Sequence, residues 1–104
     1  MIQELWEQIQ NGQEVRQNLS KIRQVIKNNG ERRKLSALVE GKENVLIGLL
    51  QSEDAKTRKN AALLMGDLRN PPFLAPLWEA YQEEEQRFVK SSYLSAMESF
   101  DYRN

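Results

Sequence analysis

Residues 52–68 read SEDAKTRKNAALLMGDL, and this stretch decides the fold class. Strong helix formers fill it from Ala55 onward. Asp54 precedes them, where a carboxylate accepts the free backbone N–H groups of a first helical turn. The residues from Ala61 to Met65 are all apolar and cover well over half of a helix circumference. A helix with one buried face does not need so wide an apolar surface. The stretch therefore predicts a central helix, packed between neighbours, in an all-α fold.

The rest of the chain also shows apolar residues at helical spacing, without the period-two alternation that is typical of strands. We interpret Asn28-Asn29-Gly30 as the end of the second helix, and Gly41 as the end of a shorter third piece. The spacing predicts about seven helices, over residues 2–9, 15–26, 35–39, 45–50, 55–69, 72–84 and 86–100. The last two are expected to turn Leu74, Leu77, Trp78 and Tyr81, and Phe88, Val89, Tyr93, Leu94, Met97 and Phe100, toward the core.

The pattern of the central helix recurs later in the chain. Residues 57–68 align with residues 89–100, and residues 46–50 align with residues 74–78. A weaker third copy lies at Val15–Ile22. Periods of about 30 residues indicate stacked helical repeats, in which each unit buries its apolar face against its neighbours. A small orthogonal bundle around one central helix is the alternative.

The tract from Ser52 to Leu68 resembles the second half of a HEAT repeat, a unit of armadillo-type α-solenoids. This resemblance implies a short right-handed α-α superhelix. In the family, Asp54 would start the second helix and would link adjacent repeats together with Arg58. The resemblance also implies that small residues let neighbouring helices approach closely, here Ala61, Ala62 and Gly66.

The whole chain, 1–104, is predicted to be a single HEAT-like domain. Residues 1–41 form irregular N-terminal helices, 44–69 match the repeat best, and 72–100 form a looser second repeat, with Glu98 in place of a glycine. The chain ends directly after a repeat, without a polar capping helix, which solenoids need for solubility. We therefore expect that the native protein continues, or that this end packs on a further repeat or another chain.

Composition excludes most catalytic chemistry for this segment. The 104 residues contain neither Cys nor His, so thiolate zinc sites, Cys nucleophiles and imidazole bases are impossible. The isolated glycines form no phosphate-binding loop, and we expect no cofactor, no metal and no catalytic constellation. The three adjacent carboxylates at 83–85 are interpreted as a solvated turn. No apolar run is long enough to span a membrane, and Glu4 and Glu7 do not fit a signal peptide, so a cytoplasmic location is expected.

Two features suggest binding surfaces. Lys and Arg balance Asp and Glu at 15 each, yet residues 14–34 hold a local basic excess. Within it, Arg16, Arg23 and Lys27 flank one apolar stripe and define what we call the basic ridge. It could contact phosphates of RNA, or its aliphatic stems could cover the core. Trp6 and Trp78 also lie on apolar stripes, and a core or inter-repeat position is favoured for both over a role as a ligand platform.

Two functions follow as hypotheses. The first is a non-catalytic scaffold that uses its second helices to hold a protein partner or an adjacent domain of the same chain. The second comes from a further resemblance, carried by Ser52–Leu68 together with residues 88–94. These segments are similar to the N-terminal helical region of some bacterial RNA methyltransferase-type proteins. That resemblance implies an RNA-handling domain followed by a SAM-dependent catalytic domain, although none of the catalytic motifs lies in these 104 residues.

Overall fold

The computed structural model describes residues 1–100 and confirms the all-α fold class. Its helices are α1 Ile2–Gln10, α2 Val15–Val25, α3 Asn29–Val39, α4 Glu43–Leu49, α5 Ala55–Leu68, α6 Leu74–Glu83 and α7 Arg87–Glu98, with a 3₁₀ turn at Pro71–Phe73. Strands are absent from these hundred residues. Each helix described is too short or too polar to cross a membrane.

Helix α5 begins where its capping chemistry places it. The Asp54 carboxylate accepts hydrogen bonds from the Thr57 backbone N–H at 3.1 Å and from the Thr57 hydroxyl at 2.7 Å. Asp54 is therefore the N-cap, as the sequence predicts. The Ser52 hydroxyl instead accepts from the Asp54 backbone N–H, so it shapes the preceding turn rather than the helix start. The helix ends at Arg69, whose φ of 58° reverses the chain.

The middle of α5 is buried on several sides. Ala61, Ala62, Leu64 and Met65 are completely buried. Helix α5 packs on α2, α4 and α7. Gly66 makes the closest approach, because a Cβ atom at this position would lie 2.8 Å from the Ala96 Cα of α7. Small side chains thus allow the α5 and α7 backbones to meet, and the wide apolar surface of α5 has a neighbour on each side.

The helices are arranged in pairs along a row. Helices α2, α5 and α7 lie side by side, with α2 against α5 and α5 against α7. Each of them also packs on the preceding helix of its pair, α1 on α2, α4 on α5 and α6 on α7. Helix α3 lies outside this pairing and packs on α1. The C-terminal end of the row is therefore the α6–α7 pair.

The prediction for the segment before α4 is wrong in one respect. Helix α3 begins at Asn29 and is two turns longer at its start than the piece predicted at 35–39. The reason is the Asn28 side chain, which accepts a hydrogen bond from the Glu31 backbone N–H at 3.0 Å and caps α3. Asparagine is common both just after the end of a helix and at the N-cap of one, and Asn28 has the second role here.

Candidate functional site

The outer side of the α6–α7 pair exposes side chains that the sequence pattern assigned to the core. Leu74 is 43% exposed, Trp78 51%, Phe88 44% and Leu94 43%, so the prediction of inward positions is wrong for these four. The cause is the direction of the neighbouring helices. Leu77 on α6 and Val89, Tyr93 and Ala96 on α7 occupy the buried sides instead. Contacts within the described chain leave Leu74 and Trp78 of α6 uncovered. Phe88 and Leu94 lie about 120° apart around α7, and of these two Leu94 lines the groove beside α6.

The exposed side of α6 adjoins Leu94 of α7. On α6, Leu74, Trp78 and Tyr81 follow one another at helical spacing. On α7, Lys90 and Leu94 face the same groove, since the Lys90 Nζ lies 5.0 Å from the Tyr81 ring centroid. We call this surface, formed by Leu74, Trp78, Tyr81, Lys90 and Leu94, the α6–α7 face.

The two aromatic rings of the α6–α7 face are already ordered. The Trp78 and Tyr81 rings stack with centroids 5.8 Å apart and planes 16° apart. The Lys90 ammonium group covers the Tyr81 ring in a cation–π contact. Beside them lies a shallow groove of about 260 Å³, lined by Tyr81, Arg87, Lys90, Ser91 and Leu94. Exposed aromatic and aliphatic side chains rimmed by polar groups are typical of protein-binding surfaces.

A buried polar network holds this pair of helices against α5. The Arg58 guanidinium donates two hydrogen bonds of 2.9 Å to the Glu84 carboxylate and one of 2.7 Å to the Ser52 carbonyl. The Tyr93 hydroxyl donates to Glu84 at 3.1 Å. Glu84 is only 6% exposed, so the expectation of a wholly solvated turn at 83–85 is wrong. The network joins α5 to the α6–α7 turn and to α7.

The pKa values of this network follow from burial and charge. Burial raises the pKa of Glu84, but hydrogen bonds, chiefly from Arg58, outweigh it and hold the pKa below its usual value. Burial and the adjacent Glu84 charge together raise the pKa of Tyr93 to about 12. At neutral pH the network therefore contains an ionised Glu84, a charged Arg58 and a neutral Tyr93 hydroxyl. Each group is saturated by the others, which suits a structural lock better than a catalytic site.

Asp54 and Arg58 link α5 to different neighbours. Asp54 pairs with Arg16 of α2 at 3.6 Å, while Arg58 pairs with Glu84 at the opposite side of the row. The two residues thus connect α5 to the helix pairs on either side of it. Sequence spacing alone had also allowed a direct pair between them on α5. Glu84, the partner that completes the lock, carries no sequence signal that distinguishes it from Glu83.

The basic ridge is largely engaged by acidic side chains. The Arg23 Nε atom donates to the Asp67 carboxylate at 2.6 Å, and Arg16 pairs with Asp54. Arg32 of α3 adds a hydrogen bond of 2.7 Å to the Asp67 carbonyl. Lys27 is exposed. Two members of the ridge therefore tie α2 to α5, and they present less free positive charge to a phosphate than the sequence pattern suggests.

Metal chemistry finds no support in the described geometry. Within residues 1–100, no group of three or more Asp or Glu side chains converges to hold a metal ion. Glu84, Asp54 and Asp67 are each paired with an arginine instead. The exposed apolar and aromatic side chains of the α6–α7 face make it the candidate site.

Comparison with known proteins adds no identity. No family model matches the chain, and neither curated proteins nor solved structures give a match.

Proposed function

We propose that this chain is a non-catalytic, HEAT-like helical-repeat module that binds a protein partner through the α6–α7 face. The observation that carries the proposal is Trp78, a tryptophan half exposed on a helix and flanked by exposed Leu74 and Leu94. Tryptophan is among the residues that contribute most at protein interfaces when a partner covers them.

The arrangement of the helices supports the repeat character. The pairs α1–α2, α4–α5 and α6–α7 follow one another, and their second helices pack in a row. In a solenoid each pair contacts only its neighbours, so the end pair leaves an apolar face unless a cap or a partner covers it. The α6–α7 face lies at such an end.

The buried lock supports the binding role. Arg58, Glu84 and Tyr93 fix the α6–α7 turn on α5, and the Trp78 and Tyr81 rings are stacked without a partner. A face that is ordered before binding loses less conformational entropy on association. A protein partner is favoured over a small molecule, because the groove is shallow and open.

Site-specific photo-crosslinking in the cells that make the protein tests this proposal. A benzophenone amino acid at position 78 is expected to yield discrete protein adducts, and the same group at exposed Gln10 on α1 is not. Leu94→Glu in the position-78 variant is expected to abolish the adducts, whereas Lys21→Glu on α2 leaves them. Equal adducts from positions 78 and 10, or none from 78, contradict the proposal.

RNA handling within a SAM-dependent methyltransferase-type protein is the second candidate. The observation that favours it is the group of exposed cations on α2, on α3 and in the turn between them, which includes Lys21, Arg33 and Lys27. Against it stand the ion pairs of Arg16 and Arg23, which engage two of the three ridge members. Fluorescence anisotropy with a structured RNA hairpin at two salt concentrations tests this candidate, because it measures the affinity for RNA and its dependence on salt.

A further inference from the structure

The side of α7 that points away from α5 carries an ordered sequence of chemical groups. Arg87, Ser91, Leu94 and Glu98 are all exposed. At 100° per residue these four lie within about 60° of one another around the helix. The stripe thus has a cation at its first residue, a carboxylate at its last, and a small and a large side chain between them.

Trp78 lies level with the middle of this stripe. Lys90 contacts the Tyr81 ring, and a turn at 84–86 joins the two helices, so α6 and α7 run antiparallel with Tyr81 beside Lys90. Moving three residues away from the turn on each helix places Trp78 beside Tyr93. Tyr93 is next to the midpoint between Arg87 and Glu98.

We infer that the α6–α7 face binds a second copy of this chain, related by a two-fold axis that runs between the two α7 helices, perpendicular to them and level with the midpoint of α7. Such an axis makes the two α7 helices antiparallel, so that the cationic end of each helix lies beside the anionic end of the other. Arg87 then faces Glu98 of the second copy. Leu94 enters the space above Ser91 of the second copy, in the groove described above. Trp78 contacts Trp78 of the second copy at the axis, between the two α6 helices.

Charge complementarity selects this occupant. The face has Arg87 and Lys90 at one end and Glu98 at the other, and within residues 1–100 none of the three forms an ion pair. An acidic helix from another protein would satisfy the basic end but would bring like charge to Glu98. An antiparallel copy satisfies both ends with the same contacts. The inference rests on the proposed function, since it names the partner of the same face.

Sedimentation equilibrium of the full chain tests the inference at low salt, over concentrations from about 10 μM to 1 mM, the range of weak interfaces. The apparent mass is expected to rise from 12.1 kDa toward twice that value. Arg87→Glu and Glu98→Arg each replace two attractive contacts by two repulsive ones, so each variant alone is expected to associate at least about tenfold more weakly.

Mixing the two variants provides the decisive measurement. In a mixed dimer, the Arg87→Glu site of one chain faces the Glu98→Arg site of the other. The natural Glu98 of the first chain then faces the natural Arg87 of the second. Association is therefore expected to return in the equimolar mixture, and also in the doubly substituted chain. The matched control is Lys21→Glu at an exposed position of α2, which is expected to leave association unchanged. Circular dichroism of each variant establishes that it is folded.

Three outcomes overturn the inference: a monomer at about 1 mM, dimers in which the two single variants associate as the natural chain does, or no recovery on mixing. A monomer that still gives protein adducts from position 78 overturns the second-copy inference and leaves the proposed function standing. A monomer without such adducts overturns both.

Discussion

At Gly66, adding one methyl group has two opposite effects on stability: it improves the local helix propensity of α5, and it overpacks the contact between α5 and α7. A Cβ atom there would lie 2.8 Å from the Ala96 Cα, 3.1 Å from the Ala96 Cβ and 3.3 Å from the Ser99 Oγ. The optimal separation of packed carbon atoms is about 3.5–4.0 Å, and Cβ contacts under 3.0 Å essentially do not occur, so Gly66→Ala forces α5 and α7 to move apart. Overpacking of this kind costs about 1–3 kcal/mol, against a gain of about 1 kcal/mol in helix propensity.

The expected result is a net loss of about 1 kcal/mol in the free energy of unfolding, seen in urea as a midpoint lower by about 0.5 M with an unchanged slope. Gly48→Ala in α4 is the matched control, because a Cβ there meets nothing within 4 Å. It is expected to raise the free energy of unfolding by about 0.5–1 kcal/mol. Ala96→Gly in the Gly66→Ala background restores little, since the nearest atom is the Ala96 Cα. If both alanine variants stabilise the protein, the close approach of α5 and α7 is wrong.

Four further predictions test the packing, the cap, the buried lock and the basic ridge. Ala62→Leu is expected to cost about 1–3 kcal/mol, because Ala62 is completely buried, and a neutral urea melt refutes that packing. Asp54→Ala is expected to cost about 1 kcal/mol while Ser52→Ala costs less, and the reverse order in the two melts would reassign the cap. Since the folded-state pKa of Glu84 is lowered, its ionised form stabilises the protein above the unfolded-state value. This contribution disappears as the pH falls below the unfolded-state pKa and through the lowered folded-state pKa of Glu84, so Glu84→Gln is expected to melt lower at pH 7 and to show a flatter stability profile over that acidic range. If the basic ridge binds RNA, the affinity for a structured hairpin falls about tenfold or more between 50 and 200 mM salt, and Gln at its three positions flattens the slope. The ion pairs to α5 lead us to expect no measurable binding, together with a lower melting temperature for the triple variant.

The helices and their caps are local properties, which explains why most of them could be predicted. Apolar spacing within a dozen residues placed the helices, and Asp54 marked the start of α5, because a cap acts on the N–H groups of the next turn. The one helix that was shortened, α3, failed on an equally local point. Asn28 can follow a helix or start one, and only the hydrogen bond from Glu31 distinguishes the two cases.

The binding face could not be predicted in the same way. Leu77 and Trp78 are neighbours on one apolar helix, and periodicity treats both as core residues. Leu77 is completely buried while Trp78 is 51% exposed, because burial depends on which side of α6 meets the rest of the row. The sequence indicates that α6 and α7 have apolar surfaces, but it does not indicate which side of each helix packs against the rest of the row.

By itself the sequence determined the all-α class, the start of α5 and the exclusion of thiol and imidazole chemistry, because each depends on residue type or on contacts within one or two helical turns. The tertiary structure alone decided the long-range partners. Arg23 meets Asp67 44 positions away, and Arg58 meets Glu84 26 positions away. Such pairs form only after helices from distant parts of the chain pack together, since the favourable free energy comes from burying their apolar faces and the charged side chains then pair with whatever lies opposite.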